Sequence, residues 1–305
     1  SDSSLKSRLC LLGNLMADDG EDASCPTPRL SSIRMLMAKA IKRDLAFDIY
    51  DVDSAFLCSQ PKGTTYIHMP PGRDKPGKVG LLLRNLYGSV WAPKLFSTRL
   101  YNWFHVNGFE PNAHDPCIYS RWESQGPLEV VAHVDDLGAV GTRPQVDRFY
   151  KQLTDPKEGF AITRHGALGA DGKIFRDPYN KNGVGAVRYL GIECQRTKRE
   201  FILKNSTLIQ NLIQKAKPYM HNTHKQHVPM TDCRLSDADA VKEPKHRKEK
   251  GLDQKPFRSF LGACGYICMS TKPQCSYAFK ELARFNTNFG MPHWEALLNL
   301  ISYIQ

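Results

Sequence analysis

An apolar run over residues 128–133 breaks off at two adjacent aspartates, Asp135 and Asp136, and no other feature constrains the chain as much. Leu128, Val130, Val131 and Ala132 suit a buried β segment. Two carboxylates cannot continue into a core without partners, so the pair marks a tight turn between β segments. A second apolar segment at 117–122 precedes it across the turn-rich stretch 123–127 and supplies an antiparallel partner. Upstream, Phe47, Ile49 and Asp51 share one face of a strand expected over 46–53, which carries Asp51 to a strand end. Asp48 and Asp53 read as solvent-facing acids or turn residues, and spacing alone leaves them open as ligands.

Helical spacing frames these strands. Ile33, Leu36, Met37, Ala40 and Ile41 predict an amphipathic helix over 31–46 behind a serine cap, and a second helix is expected over 94–106, after Pro93 and before Gly108. The aromatic run Tyr101, Trp103, Phe104 and Phe109 reads as packing beneath the sheet. Five glycines make 166–185 an expected loop or ribbon, after which a strand resumes over 189–193. The charged stretch 237–253 reads as a solvated face or linker. The last third is helical in pattern, with helices expected over 207–216, 257–269, 277–285 and 292–304.

Across 305 residues, 42 Lys and Arg stand against 31 Asp and Glu, a net charge of +11 that favours an anionic partner, most commonly nucleic acid. No stretch approaches the roughly 18 apolar residues of a spanning helix, and SDSSLKSR has no apolar signal core, so an intracellular protein with no membrane partner is expected. Nine scattered cysteines suggest reduced thiols, with Cys264, Cys268 and Cys275 in a helical core. His221, His224, His227 and His246 lack the cysteine spacing of a zinc site.

Joining nucleotides needs an attacking hydroxyl, an in-line phosphorus and stabilisation of developing charge, which two divalent cations about 4 Å apart supply. Such hard cations take carboxylate oxygens, and Asp51, Asp135 and Asp136 are placed to offer them. Taken alone, an Asp-Asp pair between strands is most often a plain turn.

Five ordered blocks resemble the reverse transcriptases of Ty1/copia-type retrotransposons. They are RLSSIRMLMAKAIKRDLAFDIYDVDSAFL (29–57), the segment from LRNLYGSVWAPK to DPCIY (83–119), HVDDLGAVG (133–141), YLGIECQ (189–195) and the helical stretch 257–304. The resemblance implies an α+β right-hand polymerase, with fingers at 1–45 and 59–92, a palm with an antiparallel sheet at 46–58 and 93–200, and a helical thumb at 201–305. It places the catalytic and metal-binding trio on Asp51, Asp135 and Asp136, with Val52 offering a backbone group to the metal. The incoming triphosphate falls to Lys6, Arg8, Ser54, Ala55 and Phe56, the last excluding a ribose 2′ hydroxyl; template and primer fall to Tyr87, Trp91, His133, Leu190 and Gly191. The implied cofactors are two Mg2+ ions, with Mn2+ as the alternative. The implied partners are an RNA template, a DNA primer, deoxynucleoside triphosphates, and integrase and ribonuclease H neighbours in a polyprotein. The implied location is a cytoplasmic particle or the nucleus.

The chain also departs from that family. His133 replaces the usual Tyr, Val90 and Trp91 replace Lys-Gln, Cys58, Ser59 and Gln60 replace the usual residues after AFL, and 166–185 looks inserted. These changes leave open a copia-derived domain serving as a structural or nucleic-acid-binding subunit with reduced or lost polymerase activity.

Overall fold

Helix α1 (Leu30–Lys42) forms where expected and buries Ile33, Leu36, Met37 and Ala40 at helical spacing. It stops short of residue 46 because Asp44 adopts φ 51°, while the Leu45 and Asp44 N–H groups bond back to the Ala40 and Ile41 carbonyls. That is a Schellman end with aspartate in the usual glycine position, and it turns the chain directly into β1 (Ala46–Val52). The computed structural model describes residues 9–16, 20–70, 72–73, 76–168, 186–220, 226–231 and 235–305. They form two units, one of residues 1–190 with 195–201 and the other of 191–194 with 202–305.

In the first unit β1 is followed by the short ribbon β2 (Tyr66–Ile67) and β3 (Gly80–Leu81), then by helix α2 (Ala92–Val106). Helix α2 begins two residues before the expected 94, since Pro93 is accommodated inside its first turn. Next come β4 (Glu110–Pro111), β5 (Ile118–Glu123), β6 (Gly126–His133) and β7 (Asp136–Gly141). The β5–β6 turn tightens from the expected five residues to Ser124 and Gln125, with Gly126 at φ 100°. Helix α3 (Arg143–Leu153) and strand β8 (Ile162–Leu168) complete the main sheet, whose order is β4-β5-β6-β7-β1-β8 with antiparallel neighbours throughout. The α+β class with an antiparallel sheet is as expected. Helix α3 was not; Thr142 and Gln145 cap it reciprocally, and Val146, Phe149 and Leu153 bury its inner face.

One face of this sheet carries Tyr50, Val52, Leu128, Val130, Leu137 and Ala139 against Phe96, Trp103 and Phe104 of α2 and Phe149 of α3. Trp103, Phe104 and Phe109 are core, whereas Tyr101 is 41% exposed and stacks on His105. On the other face Phe47, Ile49 and Val131 meet at Gly138, where a Cβ would stand 3.0 Å from Val131 and 3.1 Å from the Phe47 ring.

Asp48 does not face solvent. It lies on the helix-covered face, fully buried, where Arg143 donates to Oδ2 at 2.9 Å, Arg164 forms a second ion pair and the Tyr50 hydroxyl donates at 3.3 Å. Burial, and then the Asp48 charge, raise the Tyr50 pKa well above its ordinary value, so that hydroxyl remains a donor. Of the stretch 166–185, residues 166–168 belong to β8, and 169–185 lie outside the described residues.

Strands β9 (Ala186–Tyr189), β10 (Ile192–Arg196) and β11 (Phe201–Lys204) form a three-stranded sheet in the order β11-β10-β9. The expected strand over 189–193 is therefore two strand ends around a turn, with Leu190 at φ 51° and Gly191 at φ 75°. Two successive residues in the left-handed region are what a two-residue hairpin turn requires.

In the second unit α4 (Ser206–Ala216), α5 (Pro244–Glu249), α6 (Phe257–Ser270), α7 (Ser276–Ala283) and α8 (Met291–Ile304) follow in order. All but α5 were expected, within two residues at each end; α5 lies in the charged stretch and buries none of its residues. Phe257, Phe260, Leu261, Cys264, Ile267 and Cys268 of α6 pack with Leu282, Phe285, Trp294, Leu297 and Ile301, and Cys275 is buried with them. His221, His224 and Cys233 lie outside the described residues.

Buried His293 stacks on Phe285 at 3.7 Å, accepts the Gly290 N–H at Nδ1 (2.9 Å) and holds Nε2 3.0 Å from the Ser236 carbonyl. These bonds suit a neutral ring, and burial pushes its pKa below 6.5. With the folded pKa below the unfolded one, the contribution is full above about pH 6.5 and is lost as pH falls. Urea melts of the second-unit signal should therefore have a lower midpoint at pH 5.5 than at pH 7.5, and His293→Gln should flatten the difference. Equal midpoints in the parent chain would refute this.

Candidate active site

The β1–β7 ladder sets Asp51 directly opposite Asp136. Opposed residues of an antiparallel pair project to the same side with Cβ atoms about 5 Å apart, so both carboxylates leave one face of the sheet. By the same alternation Asp48 points to the other face, which removes it from the candidate ligands. Asp53, beyond the end of β1, is exposed and accepts from the Thr163 hydroxyl at 2.8 Å.

Asp135 comes from the β6–β7 turn. His133 pairs with Asp136, leaving Val134 and Asp135 as a two-residue connection. Val134 has φ 54°, a conformation that suits glycine and strains a β-branched side chain by about 1–3 kcal/mol. The turn is tied down from β1, where the Val52 N–H donates to the Asp135 carbonyl at 2.9 Å. Val52 thus fixes the aspartate turn through its backbone, while its side chain is buried in the helix-side core.

Asp51, Asp135 and Asp136 are all partly buried. The Asp136 carboxyl is pushed up to about 7, first by burial and then by the charges of Asp135 and Asp51. Repulsion among three carboxylates with too little water is relieved by a proton or by a cation, and their hard oxygens suit magnesium. Among the described residues no three His, Cys, Asp or Glu side chains stand close enough to grip one ion together. Three are not required: magnesium is usually held by one or two carboxylates, with phosphate oxygens and water filling its remaining positions.

Beyond Val52 the chain passes through Ser54, at φ 54° and ψ 41°, into a single turn of tight helix over Ala55–Cys58. Ala55 is buried, and the Phe56 ring meets Tyr87 edge-on at 5.0 Å and Phe96 at 6.5 Å. Phe56 and Tyr87, expected on the nucleotide and template sides, are therefore neighbours. Trp91 precedes α2, partly buried, with Lys62 over its ring. Leu190 and Gly191 form the β9–β10 turn. Lys6 and Arg8 lie outside the described residues.

The Asp48, Arg143 and Arg164 network behind the trio was missed. Alternation alone could have placed Asp48 opposite Asp51, but nothing in sequence spacing pairs it with arginines 95 and 116 residues away.

Residues 2–163, which include all three aspartates, match the family described as Reverse transcriptase (RNA-dependent DNA polymerase). Over 94% of its length the chain is 25% identical to the retrovirus-related Pol polyprotein from transposon TNT 1-94 of Nicotiana tabacum, and equally to that from transposon RE1 of Arabidopsis thaliana. It spans about a fifth of each, 20% and 18%. It is 26% identical to a putative transposon Ty5-1 protein of Saccharomyces cerevisiae, with 83% of this chain and 74% of that one covered. Among solved structures, telomerase from Candida albicans in complex with a fragment of telomeric RNA superposes with a TM-score of 0.35 and 10% identity over 92% of this chain and 49% of that one, too distant to carry an argument.

Proposed function

Because the chain belongs to the reverse transcriptase (RNA-dependent DNA polymerase) family, and to its copia-type branch, we propose that it adds deoxynucleotides to a primer 3′ end on an RNA template and then on DNA. One observation supports this above the rest: Asp51 and Asp136 are directly opposed on one face, with Asp135 beside them, and burial followed by the charges of Asp135 and Asp51 raises Asp136 to about 7. Asp51 and Asp135 would be the principal holders of the divalent cations, and Asp136 would assist them. Bound there, the cations supply charge neutralisation of the triphosphate and a more acidic 3′ hydroxyl. The residues do the rest. The Val52 N–H holds the Asp135 turn in place, and the Phe56 ring, packed against Tyr87 and Phe96, would exclude a ribose 2′ hydroxyl. The reading assigns fingers and palm to the first unit and the thumb to the second, with polyprotein neighbours and an intracellular particle as context.

Primer extension on an RNA template with magnesium tests it. The parent chain should extend, and Asp135→Asn should lose at least about a hundredfold in rate, as expected when a charge that stabilises the transition state is removed. An inactive parent, or an Asp135→Asn variant that extends equally well, overturns the proposal. A second expectation concerns Phe56. Trimming it to Ala should raise the relative use of ribonucleotides at least about tenfold, the scale set by a steric gate of 1–3 kcal/mol. Competition between matched ribo- and deoxynucleotides reads this directly, and unchanged selectivity would remove Phe56 from the gate.

A further inference from the structure

At the start of α2 an aromatic ring has two lysines close to it. Lys62 Nζ stands 3.8 Å from the centre of the Trp91 ring and Lys94 Nζ 5.6 Å from it. Helix α2 is long and has no side-chain cap at Trp91, so its N-terminal dipole adds to the same positive field. An acidic turn lies over this group. Glu21 Oε2 is 2.8 Å from Lys62 Nζ, and Lys94 donates to the Asp22 carbonyl. Asp22 shapes that turn, accepting from the backbone N–H and hydroxyl of Ser24 at 2.8 and 3.0 Å.

We propose that Lys62, Trp91 and Lys94 form a subsite for single-stranded polynucleotide, which the Glu21-Asp22 turn covers as an acidic latch in the free chain. Once Lys62 turns from the ring to a phosphate, the indole offers what a single strand needs, a face for a base beside two cations for its flanking phosphates. The latch imitates the phosphates with one carboxylate and one carbonyl. A solvent-exposed ion pair of the Glu21–Lys62 kind is weak, so a strand that brings several phosphates and a stacking base displaces it. The latch therefore lowers affinity a few-fold without closing the site, and most for ligands that bring few charges. This deepens the polymerase reading, because such a subsite would hold unpaired template. Its test needs no catalysis, so the two fail separately.

Fluorescence anisotropy with labelled oligo-uridylate and oligo-thymidylate of about twelve nucleotides, without divalent metal or nucleotides, reads it. Glu21→Gln should tighten binding about threefold at low salt, and the gain should shrink as salt screens the latch. In a Lys62→Gln background the same change should gain nothing, since the coupling runs through that ammonium. Trp91→Ala should weaken binding at least about tenfold, while Trp91→Phe, which keeps a ring in the fold, should lose far less. A base stack with two phosphate contacts does not read the sugar, so these shifts should be alike for both strands. Unchanged affinity in Glu21→Gln at low salt, an undiminished gain without Lys62, parent-like binding by Trp91→Ala, or an effect confined to one strand would each overturn the proposal.

Discussion

Replacing Asp136 with Asn should make the metal-free protein more stable at pH 8 while abolishing primer extension. Asp136 ionises at about 7 in the folded chain against 3.8 ordinarily, because it is partly buried and faces Asp135 and Asp51. A carboxyl whose folded pKa is raised gives stability that is fully present below the unfolded value and is lost as pH climbs through the folded one. Above pH 7 the first unit therefore bears a penalty of up to roughly 4 kcal/mol, of which about half remains after solvent screening. Asn carries no charge and removes it. The melting temperature of the first-unit transition should rise by several degrees at pH 8, with little difference between parent and variant near pH 4. Magnesium should raise the parent's melting temperature at pH 8 more than the variant's, since cation binding and charge removal relieve the same repulsion. A variant no more stable than its parent at pH 8 would refute the crowding argument and leave Asp136 an ordinary strand-end carboxylate.

The second large effect lies behind the site. Asp48→Ala should destabilise the first unit by about 3–5 kcal/mol, because it leaves Arg164, 17% exposed at its side chain, without its buried counter-charge. Arg164 also reaches Asp147 at 3.2 Å, but that carboxylate is 46% exposed and a weaker partner. Arg143, with a 38% exposed side chain, is in a different position, and Arg143→Ala should cost about 1 kcal/mol or less. Denaturant melts of the three chains check the order, and near-equal losses would show that Asp48 is not the centre of the network. The network bears on the active site because Arg164 pairs with Tyr50 next to the register shift between Ile49 and Tyr50 in the β1–β8 ladder. Loosening it frees β8 from the strand that carries Asp51.

How legible this was from sequence varied with the range of the physics. The β1 alternation of Phe47, Ile49 and Asp51 and the apolar run into Asp135 are local patterns with a strong period, and both hold in the structure. The helices of the second unit other than α5 are equally plain, since α6 repeats its buried residues every three or four positions. Boundaries failed where one residue took an unusual backbone conformation, as Asp44 does at the end of α1 and Leu190 does between β9 and β10. Aspartate and leucine do not announce a left-handed turn as glycine would. Helix α3 was missed although its Thr142 and Gln145 cap was available, because its mean composition is polar and its buried residues are few. Asp48 was misread because its solvent was replaced by arginines from distant strands and helices, a long-range fact that no local pattern contains.

The strained valine in the β6–β7 turn also bears on how the protein comes to be folded. A two-residue connection led by a left-handed valine is a poor nucleus, so the β6–β7 hairpin gains little from closing by itself. Its other support is β1, whose Asp51 pairs with Asp136 across 85 residues of chain, and contacts of that separation form late. The three carboxylates then come together only after the central strand has docked. An incompletely folded or truncated chain carries the same aspartates without their repulsion and without their affinity for cations, so competence for metal would appear at the last step of folding and could report on it.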